Sequence, residues 1–461
     1  MQNVNKLPRS PSTEIIVTVS AAAAFFMTTL DTSIVNLALP EIRHEFRSSL
    51  AGLQWIVDLY VLSLASLLIL AGSLGDMFGA KRIFLLGLTV FTLASAICCL
   101  APDALTLDAA RILQGIGAAL QLPTSLTLLT HVVVKPDRRV RAVSLWASAG
   151  PLGLAFGPVA GGLLVQAYGW RSVFAVNLPV GVIIAVLAWA RVPDSQRLTT
   201  QRFDLSGQIS LLAVLGSSTF LLIEVPRHGW TSGAFPYAAV LIAAIPALII
   251  AEMRTSSPML PLKLFRNLQF SSTALIGMLH NVGIFGQIFV LGLSLQELLG
   301  QTPLRAGLSF LPLTGALAIG TRVSARALVA RKAATVMVLG HLLAAVGALG
   351  IALLGFGMGQ AGLLSSMIVM GLGAGITTPA MNISILDAAP RDRSGVASGV
   401  LNTARQIGTL AGVALLGACL SAPLQEADVR LACLLGALAL AAAGLVGLCS
   451  LRNAFAGLHK P

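Results

Sequence analysis

Residues 15–40 read IIVTVSAAAAFFMTTLDTSIVNLALP. Wound into a helix rising about 1.5 Å per residue, such a run crosses the roughly 30 Å of hydrocarbon in a bilayer. Its one ionisable side chain is Asp31. Runs of this kind recur along all 461 residues, which are 56% hydrophobic and 10% charged, with a mean hydropathy of +0.87. A soluble domain carries about 25% charged residues. So few ionised groups cannot cover a soluble protein of this size, which excludes a soluble enzyme, a nucleic-acid binder and a secreted disulfide scaffold. The 30 Lys and Arg outnumber the 18 Asp and Glu, but they are scattered between apolar runs and form no nucleic-acid patch. Cys98, Cys99, Cys419, Cys433 and Cys449 lie in apolar runs without metal-ligand spacing and read as small core hydrophobes.

Extending the count from the first run gives an all-α polytopic membrane protein. Fourteen spans fall near residues 15–39, 53–73, 83–101, 105–131, 142–166, 172–190, 206–225, 234–252, 270–294, 304–321, 335–355, 361–387, 395–420 and 429–451. Glu224, Pro226 and Pro236 make the seventh and eighth the least regular, and twelve is the rival count. Lys and Arg accumulate in cytoplasmic loops. With the N-terminus inside, 22 basic residues lie on the cytoplasmic side against six outside, and Arg111 and Arg405 fall within spans. Both termini are therefore expected in the cytoplasm of a multi-pass cell-membrane protein. Lys6 and Arg9 precede the first run as in a signal peptide, yet that run is too long for one and carries Asp31, Asn36 and Pro40. The loops are short and no P-loop occurs, so any transport is driven by an ion gradient or by the solute's own gradient. No metal or cofactor is expected.

A charge at mid-membrane costs about 2.5 to 3.5 kcal/mol on insertion scales and usually faces the bundle interior with a job. Asp31, Asp58, Arg111 and Glu224 qualify. Counted along their helices, Asp31, Asp58 and Arg111 share a layer in the outer half. Arg111 could pair with one carboxylate while the other exchanges a proton, so that a bound cation and a proton compete for one negative charge. The plainer reading is an ion pair that only locks helices. Glu224 sits near the outer end of the seventh span, where water can reach it. His280 and His341 read as isolated, satisfied core residues. Arg405, beside Asn402 and Gln406, serves either helix packing or substrate contact.

Gly153, Gly157 and Gly161 fall four apart, on one helix face, with Pro158 among them. Small residues at that spacing let helix backbones approach, and the proline removes a helix hydrogen bond. This face is expected to be a rocking interface. Gly371, Gly373 and Gly375 before Pro379 suggest a similar helix in the other half. Between spans two and three, Gly72, Asp76, Gly79, Lys81 and Arg82 form a tight cytoplasmic turn. Asp76 there could meet a helix N-terminus or a loop arginine such as Arg138, Arg139 or Arg141 and act as a latch.

These stretches resemble the major facilitator superfamily, specifically its fourteen-helix drug/proton antiporter branch. Leu30 to Pro40 is similar to the branch's helix 1 motif, Gly72 to Arg82 to the loop 2-3 motif, Arg111 to Ala119 to the helix 4 motif and Gly153 to Gly162 to the helix 5 antiporter motif. Trp170-Arg171 with Phe174, Asn177 to Gly181, Pro258 to Pro261, and Ser398-Gly399 with Asn402 and Arg405-Gln406 also look like the branch. The resemblance implies two six-helix bundles (15–191 and 261–452) rocking about a midplane site. Residues 192–260 would carry two extra helices, and 1–14 and 453–461 would be cytoplasmic tails. It also implies protonation at Asp31, proton-linked pairing at Arg111, a gate at Asp76 and coupling along Gly153, Gly157 and Pro158. Met77 and Ala80 stand where the loop motif commonly has Arg.

The expected activity is export of a small amphipathic molecule, cationic or neutral, in exchange for protons. Phe26, Tyr60, Phe285 and Met381 would line an adaptable apolar pocket, with Asn36, Gln114, Asn402 and Arg405 as polar contacts. The partners are the substrate, protons and the lipid bilayer, and a monomer is expected. A proton symporter or facilitator shares the fold, and a non-transporting sensor or scaffold is the rival from another class.

Overall fold

The computed structural model describes residues 11–194, 204–255, 262–330, 332–354, 359–390 and 393–457. Every regular element among them is helical. The long helices are α1 (Pro11–Ile34), α2 (Leu50–Phe78), α3 (Ala80–Leu100), α4 (Ala104–Val132), α5 (Pro136–Tyr168), α6 (Asn177–Arg191), α7 (Leu205–His228), α8 (Ala234–Arg254), α9 (Leu268–Leu293), α10 (Leu311–Ala330), α11 (Ala333–Leu354), α12 (Gly359–Asp387), α13 (Ser394–Ala418) and α14 (Glu426–Gly457). Thirteen helical stretches are long and apolar enough to cross a membrane by length and composition. The fourteenth long helix, α13, carries Arg405. Pro258 and Pro261, from the motif stretches above, lie outside the described residues.

Local chemistry sets the helix ends. The Ser49 and Asp103 side chains accept from Gly52 and Thr106 amides to start α2 and α4, and Asn267 accepts from Gln269 and Phe270 to start α9. Gly79, with φ of 95°, makes the sharp turn from α2 into α3 that a Cβ would strain. The first span is more broken than the sequence suggests. After α1 the chain passes through a 3-10 turn (Val35–Leu37) into a short helix, Leu39–Phe46, whose first turn holds Pro40. The tenth divides likewise into Pro303–Ser309 and α10.

Helices α1 to α6 pack among themselves, as do α9 to α14. One apolar cluster runs through both groups, from Leu30 and Ile34 to Phe289 and Phe310. Helices α7 and α8 pair with each other, and α7 lies against α2 and α13. The two bundles meet at the face opposite the Gly79 turn. There Gln54 Nε2 donates to Val413 O (2.9 Å) and Ala414 O (2.8 Å), Arg43 pairs with Glu297 (2.5 Å), and Gln296 Nε2 donates to Leu37 O (3.2 Å). Arg227 of α7 joins the seam, donating to Gln54 Oε1 (2.9 Å) and Gly417 O (3.0 Å). Near the Gly79 turn, Arg138 pairs with Glu14 (3.1 Å) and Asn267 donates to Ala388 O (3.1 Å), each within one bundle.

Candidate functional site

Asp31 and Arg111 meet in the first bundle. Asp31 is 0% and Arg111 1% exposed, and Arg111 Nη1 lies 2.5 Å from Asp31 Oδ2. Glycines bring the helices close enough for this: a Cβ on Gly115 would strike Ser63 of α2 at 2.7 Å, and one on Gly117 would strike Gly87 O of α3 at the same distance. Arg111 also donates to Ile56 O (3.0 Å) and Gln114 Oε1 (2.8 Å), and its guanidinium lies 4.3 Å from the Tyr60 ring centroid. The other carboxylate oxygen of Asp31 accepts from Asn177 Nδ2 (2.9 Å) and Gln114 Nε2 (3.3 Å). Gln114 Nε2 donates in turn to Ser95 Oγ at 2.8 Å. A buried pair is tolerable when its remaining hydrogen-bonding capacity is met, and removing one partner costs about 3 to 5 kcal/mol. Here both oxygens of Asp31 are met.

Asp58 is the contrast. It is fully buried and neither carboxylate oxygen has a partner. It stands one turn from Gln54 on the face of α2 that Gln54 turns toward α13, so it points at the seam between bundles. Glu224 does not join this layer. Its oxygens accept from Trp55 Nε1 (2.9 Å) and meet His228 Nδ1 (3.2 Å) near the end of α7. Sequence reasoning passed over Ser95 and the role of Asn177. Asn177 lay in a recognised motif stretch, but Ser95 carries no signal, since a lone serine in a helix usually bonds its own backbone, as Ser95 Oγ also does to Phe91 O (2.8 Å).

The glycine row of α5 faces α1 within its own bundle. A Cβ on Gly157 would overlap Ser33, one on Gly153 would overlap Thr29, and one on Gly161 would meet Ile34 O at 2.8 Å. The other bundle is met one residue further round. Pro158 O abuts Gly307, and Gly162 abuts Pro303. A step of one residue turns the helix by about 100°, so neighbouring positions serve different partners. The row therefore seats α1, which carries Asp31. In the second half, Gly371 and Gly375 lie against Leu313 O and Leu317 O of α10, and Gly373 against α11. In the loop motif, Gly72 and Asp76 are half-buried near the end of α2, Arg82 is exposed, and Lys81 Nζ donates to Trp189 O (3.1 Å).

A water-sized cavity of about 20 Å³ lies between the bundles, lined by α5 (Pro151, Leu154, Pro158), α9 (Ile284, Ile288) and α10 with α12. Its lining is mostly aliphatic, with Phe310, Ser33 and Thr314 among it, and the aromatic and thioether side chains named from sequence are not part of it. Tyr60 is fully buried over Arg111, and its hydroxyl donates to Thr28 O (3.1 Å). Met381 is buried in the second bundle's core, Phe26 packs toward Phe156, and Phe285 is half-buried against the core beside Ile284. Two expected polar contacts are also occupied elsewhere: Gln114 belongs to the Asp31 network, and Asn36 Nδ2 donates to Thr32 O and Ser33 O (both 3.3 Å) at the end of α1. Asn402 is exposed and Arg405 half-buried on α13. The two histidines are neighbours, with ring centroids 5.2 Å apart. His341 Nδ1 lies 2.8 Å from Met337 O while its Nε2 is buried without a partner.

Comparison with known proteins agrees with this architecture. The family model described as Major Facilitator Superfamily matches residues 21–413. The methylenomycin A resistance protein of Streptomyces coelicolor is 39% identical over 400 residues, covering 87% of this chain and 84% of that protein. The multidrug resistance protein Stp of Mycobacterium tuberculosis is 35% identical (89% and 76% covered), and the tetracenomycin C resistance and export protein of Streptomyces glaucescens 32% (86% and 74% covered). Among solved structures, the POT family transporter PepTSo superposes with a TM-score of 0.70 at 13% identity, covering 97% of this chain and 99% of that one. A bacterial homologue of the human lysosomal transporter Spinster, in an inward-facing unoccupied conformation, gives 0.67 at 15% identity, covering 96% of each chain. The chain thus belongs to the Major Facilitator Superfamily, as a multi-pass membrane transporter akin to the drug-efflux pumps and not an enzyme.

Proposed function

We propose that this protein exports small amphipathic drugs or antibiotics across the cell membrane in exchange for protons, by alternating access. The observation that carries the reading is the pair of unlike carboxylates: Asp31, with both oxygens satisfied by Arg111, Gln114 and Asn177, and Asp58, buried with none. An unpaired buried carboxylate costs several kcal/mol, which a proton or a change of partner removes. Asp58 takes the proton at the seam, and the Asp31–Arg111 pair passes the change to α1 and α4. With basic loops inside, the joined face of the bundles is the outer one, and the drug enters from the cytoplasm. The relatives' resistance and export roles support the direction of transport. Each proton charge moved is worth about 2.3 kcal/mol per 100 mV, and each pH unit adds about 1.4 kcal/mol. The protein acts as a monomer in the lipid bilayer.

The test is ethidium and drug uptake by inverted membrane vesicles, with and without an uncoupler, for wild type, Asp31→Asn and Asp58→Asn. Uptake should collapse with the proton gradient and in both variants. Uptake that ignores the uncoupler, or normal driven uptake by both variants, refutes proton exchange. Proton-driven movement in the opposite direction would make the protein a symporter.

A further inference from the structure

We propose that Arg227 on α7 is a gate residue of the outer seam, and that α7 and α8 travel with the first bundle when the seam opens. This rests on the alternating-access reading and gives the two helices outside the bundles a task in it.

Gln54 is the centre of the seam. It is fully buried, its Nε2 donates to Val413 O and Ala414 O of α13, and its Oε1 accepts from Arg227 Nη2 at 2.9 Å. The same Nη2 donates to Gly417 O at 3.0 Å, and a Cβ on Gly417 would strike the Gln54 amide. Arg227 therefore ties α2 to α13 at the point where a glycine lets the helices close. A guanidinium is always charged and holds several donors in one plane, so it can serve two acceptors at once. Its Nε is buried without a partner. The clasp is thus held against an unmet donor, which water relieves when the seam opens. Gln54 stands one turn outward of Asp58 on the same face of α2, so the clasp keeps outer water from Asp58 while it holds.

Polar ties decide which bundle α7 follows. Against α2, Gln208 Nε2 donates to Ser66 O (2.6 Å), Trp55 Nε1 donates to Glu224 Oε1 (2.9 Å), and Arg227 holds Gln54. These ties run from residue 54 to residue 66 of α2, about 18 Å of helix. Among the described residues the one hydrogen bond from α7 to α13 is that of Arg227 to Gly417 O, at the outer end. The rest of that contact is apolar, with Ile223 clustered with Ala414, and Leu211 and Leu215 with Ile407. Apolar contact is non-directional, so it tolerates a shift that placed hydrogen bonds do not. Phe220 stacks on Tyr237, with ring centroids 3.7 Å apart, and holds α8 to α7. Opening therefore breaks the bonds that Arg227 and Gln54 make to α13 and leaves α7 on α2.

The test is double electron–electron resonance on the full-length protein in nanodiscs, with genetically encoded spin labels at three exposed outer positions: Leu105 on α4, Ser232 between α7 and α8, and Ala427 on α14. Leu105 and Ala427 face each other across the seam and should show two distances, short when it is closed and long when it is open. Ser232 should keep one distance to Leu105 and show two to Ala427. Arg227→Gln should raise the ratio of open to closed about tenfold, about 1.4 kcal/mol. Arg227→Lys, which keeps the charge, should restore part of the closed population, and an unchanged distance from Ser232 to Leu105 in both variants shows that α7 is still seated. Two distances from Ser232 to Leu105 with one to Ala427 would put the helix pair on the second bundle and overturn the inference. An unchanged ratio in Arg227→Gln would also overturn it. A single distance from Leu105 to Ala427 at every pH would sink alternating access and this inference with it. The expected pattern in a protein without proton-driven uptake would leave the inference standing and sink proton exchange alone.

Discussion

The two bundles build a polar junction in the same place and fill it with different chemistry. In the first, the first, third and fourth helices contribute Asp31, Ser95 and the Arg111–Gln114 pair, and Asn177 closes the ring from α6. In the second, the corresponding helices contribute His280, His341 and Thr377, with Thr377 Oγ1 3.4 Å from His280 Nδ1. The first junction is charged and satisfied. The second has no carboxylate and leaves His341 Nε2 without a partner. The fold thus supplies a meeting point of three helices, and the residues placed there decide whether it handles charge. Glycines make both approaches possible, Gly115 and Gly117 on α4 and Gly371, Gly373 and Gly375 on α12.

The hardest blow to this contrast is Asp31→Asn. It strands Arg111 in the first junction and should lower stability by about 3 to 5 kcal/mol, seen as a fall in Tm of the purified protein. The double variant Asp31→Asn with Arg111→Gln should recover much of that loss without restoring proton-driven flux. Additive losses would mean that the pair is not one unit. Gly157→Val, which drives a side chain into Ser33, should cost about 1 to 3 kcal/mol by overpacking, also read as Tm. An unchanged Tm would show that α1 is not seated by this row.

Asp58→Asn sharpens the contrast differently. No partner is lost, so Tm should hold or rise while driven uptake fails, and a clear fall in Tm would reveal a partner for Asp58. For the second junction, His341→Leu gives up one bond to Met337 O, about 1 kcal/mol, and should leave proton-driven uptake intact. If uptake instead lost its pH dependence, the second junction would be handling protons too.

The smallest effect lies outside the membrane. The Arg171 guanidinium beside Glu45, with the Trp170 indole, holds the Glu45 carboxyl below its ordinary range. Glu45 binds fewer protons when folded. Its contribution is therefore complete above the usual carboxylate pKa and is lost as pH falls through the lowered value. Both groups are more than a third exposed, so solvent screening leaves a few tenths of a kcal/mol. Glu45→Gln should flatten the acid limb of a Tm-against-pH curve by that amount, and an unaltered limb would remove Glu45 from the account.

Periodicity and composition made the helices legible, because a run such as 15–40 has few other ways to satisfy its backbone in hydrocarbon. Asp31, Asp58 and Arg111 were legible as rare membrane charges. Which carboxylate Arg111 takes was not, because both lay at similar depth and only side-chain direction separates them. Side-chain direction was equally illegible for the expected pocket residues: Tyr60 is buried over Arg111 and Met381 in the second bundle's core.

The chain's own pattern of apolar runs and sparse charge was enough to establish a helical membrane protein, the basic bias of its loops and the short roster of charges that must be accounted for inside the bilayer. Those are local properties, since each helix closes its own hydrogen bonds and each buried charge carries its penalty wherever it lies. Only the packed structure settled the partners. It paired Asp31 with Arg111, left Asp58 facing the seam, turned the α5 glycines toward α1 and brought two apparently isolated histidines together. Such pairings depend on distances between helices far apart in sequence, which packing alone determines.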